Sequence, residues 1–146
     1  MLSKNTKETT KIAKIFLNKI LKKKKEHQNA LVVCLSGDLG AGKTTFIQAV
    51  AKHLGIKNKV SSPTFVIMKK YPLKNFNDYK FLFHLDAYRL EHEKELLHLG
   101  WKEIIDKKEH LIFIEWPENV SKIIPANAKI VHISHTKNGH RNFKLK

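Results

Sequence analysis

Cysteine occurs once in these 146 residues, as Cys34. No internal disulfide can form, which suits a reducing cytoplasm, and a lone cysteine inside an apolar run is expected to pack rather than react. Arginine is almost as scarce. Arg89 and Arg141 are the only two among 28 basic residues, so the net charge of +15 rests on lysine spread along the chain. Sites that grip phosphate or read bases favour the arginine fork. The charge is therefore poor grounds for a dedicated RNA surface, and no DNA partner is expected, although its long-range field still draws polyanions such as ATP. Long apolar runs are missing too. Nothing approaches the roughly 20 residues that span a bilayer, and the polar, lysine-rich start has no signal-peptide core. The expectation is a cytoplasmic protein with no membrane partner, folded as one domain over 1–146. No linker or internal repeat divides it.

What the chain does have is Gly37-Asp38-Leu39-Gly40-Ala41-Gly42-Lys43-Thr44. This matches the phosphate-binding loop pattern without a mismatch. Glycines let the backbone curl where a Cβ would forbid it. The curled N–H groups and the start of the following helix favour an anion. Lys43 would reach the β- and γ-phosphates, and the Thr44 hydroxyl would ligate Mg²⁺. The context agrees. The run 30–35 is apolar and of strand length, and Thr45 opens a segment with helical spacing through Phe46, Ile47, Val50 and Leu54.

Around this loop, 5–24 reads as a helix capped by Asn5, with Glu8 closing a capping box. The lysine run 22–25 reads as its solvated last turn. After Gly55, Ser61-Ser62-Pro63 favours a turn, and 65–68 reads as a strand. Thr64 is a candidate γ-phosphate sensor, set against a turn that merely satisfies its own backbone. The polar stretch 69–80 reads as a loop or hairpin tip. Phe81 to Leu85 is an apolar run that ends in Asp86, and Leu111 to Ile114 repeats the design, ending in Glu115. Between them, 91–99 and 101–106 read as helices separated by Gly100, with His92 and His98 on the surface of the first. Residues 128–134 and 142–146 read as strands joined by the Asn138-Gly139 turn.

Three apolar strands thus deliver the loop, Asp86 and Glu115 at their C-terminal ends, the edge where open parallel sheets bind ligands. The expected fold is α/β of the P-loop NTPase type: a three-layer sandwich about a mainly parallel sheet with antiparallel edge strands. Thr44 with Asp86 or Glu115 would complete a Mg²⁺ site, and the other acid would polarise water. The candidate catalytic set is Lys43, Asp86 and Glu115. Arg89 could meet the γ-phosphate or a partner, or pair with Glu91 or Glu93. A small kinase and a nucleotide-dependent RNA- or protein-binding module remain the alternatives. No arginine-rich lid, which a kinase would use to exclude water, is visible.

Four segments occur together and in order: 37–46, Ser62-Pro63-Thr64-Phe65, His84-Leu85-Asp86-Ala87-Tyr88-Arg89-Leu90 and Glu115-Trp116-Pro117-Glu118. With them the chain closely resembles the bacterial TsaE (formerly YjeE) family, the ATPase of tRNA threonylcarbamoyladenosine biosynthesis. The resemblance implies a Mg²⁺-dependent cytoplasmic ATPase, weak alone. It would work with TsaD and TsaB, meet tRNA only through them, and hydrolyse ATP to reset their complex between turnovers. It further implies Thr9 near the adenine, Trp116 close to the nucleotide, and Asp86 and Glu115 as the acidic pair. Two features depart from the family pattern. His140 interrupts the Gly-Arg pair usual before the last strand, giving Gly139-His140-Arg141, where Arg141 is a candidate nucleotide contact, and Lys70 precedes Tyr71 where an acid is usual.

Overall fold

The computed structural model describes residues 1–22, 28–76 and 78–146. Its frame is a seven-stranded sheet made of β1 (Leu2–Ser3), β2 (Leu31–Ser36), β3 (Met68–Phe76), β4 (Tyr79–Asp86), β5 (His110–Glu115), β6 (Lys129–His135) and β7 (Arg141–Leu145). The spatial order is β1-β7-β6-β2-β5-β4-β3. β6, β2, β5 and β4 pair in parallel, while β3, β7 and β1 join antiparallel at the two edges. This is the expected α/β sandwich with antiparallel edges.

Side chains alternate across the strands and build two cores. Val33, Leu35, Leu82, Phe113 and Ile133 face α1 (Thr6–Leu21) and α2 (Lys43–His53). Val32, Cys34, Phe83, Leu85 and Ile114 face Leu96 of α3 (Glu93–His98), Trp101 of α4 (Trp101–Ile105) and Val120 of a 3-10 segment, Pro117–Ile123. Burial, and secondarily the Glu118 charge, push the Cys34 thiol up to about 12. At neutral pH it is a packed thiol, not a thiolate.

Asn5 caps α1 by accepting the Glu8 N–H at 3.0 Å. Glu8 reaches one residue further than a capping box requires and accepts the Lys4 N–H at 2.7 Å. The helix ends at Leu21 with Lys22 as its C-cap, and the remaining predicted turn, 23–24, with the rest of the lysine run, falls outside the described residues. His92 is the N-cap of α3 rather than a residue within it, and there it completes a capping box with Glu95.

One stretch corrects the sequence reading. Residues 65–67 are a turn and not a strand, with Phe65 84 % and Val66 58 % exposed. The strand starts at Met68 and fills most of the span expected to be loop. Pro72 is tolerated because β3 is the sheet edge, where one row of N–H groups needs no partner. A register shift follows between Pro72 and Phe76.

Candidate functional site

Parallel register places the three strand ends side by side. Leu35 pairs with Glu115, and Glu115 pairs with Asp86, so the two carboxylates and the residue two before the loop share one row of the sheet. That row lies on the face covered by α2, whose first residues are Lys43 and Thr44. The resulting cleft encloses about 290 Å³. It is lined by the loop from Leu39 to Thr45 except Ala41, by Ser62 and Thr64, by Asp86 and Tyr88, by Glu115 and Trp116, and by Arg141.

The loop takes its curl from Gly37, Gly40 and Gly42, with φ of 148°, 77° and 105°. A Cβ on Gly37 would collide with the Ile133 backbone oxygen, whereas one on Gly40 would meet nothing within 4 Å. Gly37→Ala is therefore expected to lower stability by at least about 2 kcal/mol and Gly40→Ala by about 1 kcal/mol. Denaturant midpoints of the two variants check the order.

Lys43 is folded back into the loop. Its Nζ donates to the Gly37 carbonyl at 2.6 Å and the Asp38 carbonyl at 3.0 Å, and lies 4.2 Å from the centre of the Trp116 ring. Only 5 % of the residue is exposed. Burial lowers the Lys43 pKa below its usual value, against the opposing pull of Glu115, Glu118, Asp86 and Asp38. Trp116 adopts φ 58° and ψ 52° where β5 turns into the 3-10 segment. For a non-glycine residue that costs about 1–2 kcal/mol. The conformation sets the indole between Lys43 and Tyr88, whose ring is 5.1 Å away.

Each acid is held by donors. Thr44 Oγ1 donates to Glu115 Oε1 at 3.0 Å, with Oε2 at 3.3 Å. His84 Nε2 lies 2.8 Å from Glu115 Oε2. Asp86 Oδ2 accepts from Thr64 Oγ1 at 2.8 Å and Ser62 Oγ at 3.3 Å, while its Oδ1 accepts the Tyr88 N–H at 2.9 Å. The 60–64 loop is itself tied down: Gln48 donates to the Val60 carbonyl at 2.8 Å and Lys69 to Ser61 Oγ at 2.6 Å. The Thr64 hydroxyl thus reaches Asp86 and also bonds the Ser62 hydroxyl at 2.7 Å within its own turn.

Arg141, at the start of β7, packs its Nε over Gly42, 2.7 Å from where a Cβ would stand, and that buried Nε has no partner among the described residues. Despite the intervening His140, the guanidinium reaches the cleft. Arg89 stacks on the exposed Phe65 ring at 4.4 Å. Thr9 is not brought to the cleft lining. It is 2 % exposed, and its hydroxyl is bonded to Ser3 Oγ at 2.8 Å and the Asn5 carbonyl at 3.3 Å. Three contributors had no role in the sequence reading: Ser62, Tyr88 and His84. His84 and Asp86 lie two apart in a strand and so share a face, the one signal that could have flagged the histidine.

A profile of the family described as "Threonylcarbamoyl adenosine biosynthesis protein TsaE" matches residues 3–143. The chain belongs to the TsaE family. Its TsaE relatives include that of Rickettsia felis, 36 % identical over 125 residues, 85 % of this chain and 66 % of the relative. The TsaE protein of Bacillus subtilis is 42 % identical over 95 residues, 64 % of this chain and 55 % of the relative. The chain thus spans roughly half to two thirds of the length of these two relatives. Among solved structures, Bacillus subtilis YdiB superposes with a TM-score of 0.74 at 28 % identity, covering 99 % of this chain and 82 % of the other. The match places this chain in a family of tRNA threonylcarbamoyladenosine biosynthesis with a P-loop-type fold. Among the described residues, no helix is long and apolar enough to cross a membrane.

Proposed function

We propose that residues 1–146 form one P-loop ATPase domain that hydrolyses ATP with Mg²⁺ in the cytoplasm, as a part of tRNA threonylcarbamoyladenosine formation. The observation that carries this reading is the single sheet row of Glu115 and Asp86 set against Lys43 and Thr44 at the start of α2.

The residues fit a Mg²⁺–nucleotide. Among the described residues, no cluster of three or more His, Cys, Asp or Glu side chains is arranged for a metal. Mg²⁺ in nucleotide sites does not ask for one: it takes one or two carboxylates, waters and the phosphates themselves. Thr44, Glu115 and Asp86 are hard oxygen donors of that kind. When bound, Mg²⁺ neutralises charge developing on the phosphates. The loop N–H groups and the α2 N-terminus cradle the phosphate chain. Lys43 leaves the Gly37 and Asp38 carbonyls for the β- and γ-phosphates. Arg141 supplies a second cation from across Gly42. Thr44 and Asp86 would hold the metal, and Glu115 would either share in that or accept a proton from the attacking water. Thr64 stands against Asp86 to register the γ-phosphate, and Trp116 borders the nucleotide. Phosphoryl transfer needs positioning and charge, and this set supplies both.

The partners proposed are TsaD and TsaB, with tRNA met through them, and the hydrolysis resets their complex between turnovers. Phosphate release should be slow for the chain alone and rise when TsaD and TsaB are added. In a reconstituted modification, product beyond the first turnover should require this chain and ATP. Multiple turnovers proceeding equally well without it would overturn the reading.

A further inference from the structure

His84 is fully buried, 0 % exposed, on the helix-covered face of β4, two residues before Asp86 and on the same face. Its row neighbours in the parallel sheet are apolar: Phe113 on β5 and, beyond it, Val33 on β2. On the other side Lys69 of β3 shares its row, but the Lys69 ammonium is committed to Ser61. The contact of Nε2 with Glu115 Oε2 at 2.8 Å is its polar contact, and Nδ1 is buried with no partner among the described residues. An ionised carboxylate only accepts, so Nε2 is the donor.

We propose that His84 is a positioning residue for Glu115: its Nε2–H pins Oε2 so that the carboxylate holds one orientation toward Thr44 and the metal site. The inference rests on reading the cleft as a Mg²⁺–nucleotide site. Packing alone does not explain the histidine. An apolar ring would fill the same space between Phe113 and the helices without burying an unpaired nitrogen, which carries a desolvation cost. What the imidazole adds is one donor aimed at one carboxylate oxygen. The other side-chain donor to Glu115, Thr44, is itself part of the metal site, and its hydroxyl answers to the ion. His84 is fixed in a strand and does not. Ligating carboxylates are commonly held by such outer partners, and losing one costs roughly 10–100-fold in metal affinity or activity.

The test compares H84F, which keeps a ring and removes the donor, with H84Q, whose amide can still donate near the Nε2 position. The readout is binding of a fluorescent, non-hydrolysable ATP analogue, titrated with Mg²⁺ and repeated in EDTA. H84F should raise the Mg²⁺ needed for half-maximal enhancement about tenfold, with affinity in EDTA within about twofold of wild type, and H84Q should recover most of the loss. In an E115Q background, H84F should add nothing further. If H84F does not fold, H84N carries the same comparison, since its shorter amide ends before Glu115. Equal impairment of H84F and H84Q, an unchanged Mg²⁺ requirement in H84F (or in H84N in its place), or a full H84F effect in E115Q overturns the inference alone. A wild-type chain whose nucleotide binding ignores Mg²⁺ overturns the reading of the site along with it.

Discussion

Replacing Lys43 with alanine is expected to cut ATP turnover by about a hundredfold or more while leaving the nucleotide-free protein as stable as before, or more so. The first half follows from losing the cation that meets the developing phosphate charge. The second follows from where the ammonium sits. Burial is the main cause of its lowered pKa, and the carboxylates of Glu115, Glu118, Asp86 and Asp38 only partly restore it. The folded state then binds this proton less tightly than the unfolded chain, whose value is the ordinary 10.5. Between the lowered folded value and 10.5, the unfolded state carries more protons, so stability gains as pH rises through that window. Lys43→Ala removes the gain along with the buried charge. Thermal melts across alkaline pH should show a flatter profile for the variant, and ATP should no longer raise its Tm. Turnover within tenfold of wild type, or an undiminished ATP-induced Tm shift, would contradict the assignment. In the wild type, the same lowering in the nucleotide-free protein should make kcat/KM fall on the alkaline side before pH 10.5 is reached.

Glu115→Gln should be as damaging to turnover, by roughly 10²–10³-fold, yet change stability by less than about 1 kcal/mol. The amide can turn its oxygen to His84 and its NH₂ to Thr44. The buried hydrogen bonds are then kept, but Thr44 is converted from donor to acceptor. Its lone pair, which the proposed metal would need, is occupied, and the charge of Glu115 is gone. Single-turnover phosphate release alongside denaturant melts separates the two effects. A variant that unfolds as readily as it loses activity would show that Glu115 serves mainly the core.

The central strands were legible because parallel sheets bury both faces, so β2, β4 and β5 read as continuous apolar runs. The carboxylates that end two of them stood out against that background, and parallel register then aligned them. β3 was not legible for the opposite reason. As an edge strand it buries Tyr71 and Leu73 and exposes Pro72 and Lys74, a period-2 pattern that proline and lysine disguise as loop. Lys70, the departure from the family pattern, lies over the Phe81 ring of the neighbouring strand at 4.0 Å. The two-residue β1 carries no pattern at all and exists through its pairing with β7. At the site, the cleft residues Lys43, Thr44, Asp86 and Glu115 could be read from motif spacing. Of those that hold them in place, His84 showed only its two-residue spacing from Asp86 and Ser62 nothing, because their reach depends on which strands become neighbours.

The order of strands in the sheet also sets when the site can exist during synthesis. Val33, just upstream of the phosphate loop, finds its two neighbours in Phe113 and Lys129. The loop and its helix therefore leave the ribosome long before either flank of their own strand has been made. Until β5 and β6 arrive, β2 is an apolar segment with two open edges, the kind that pairs with the wrong chain. The cleft is incomplete until then, because Glu115 arrives with β5 and Arg141 with β7. The nascent chain must be protected through most of its length, and the proposed competence for ATP would come in the last steps of folding.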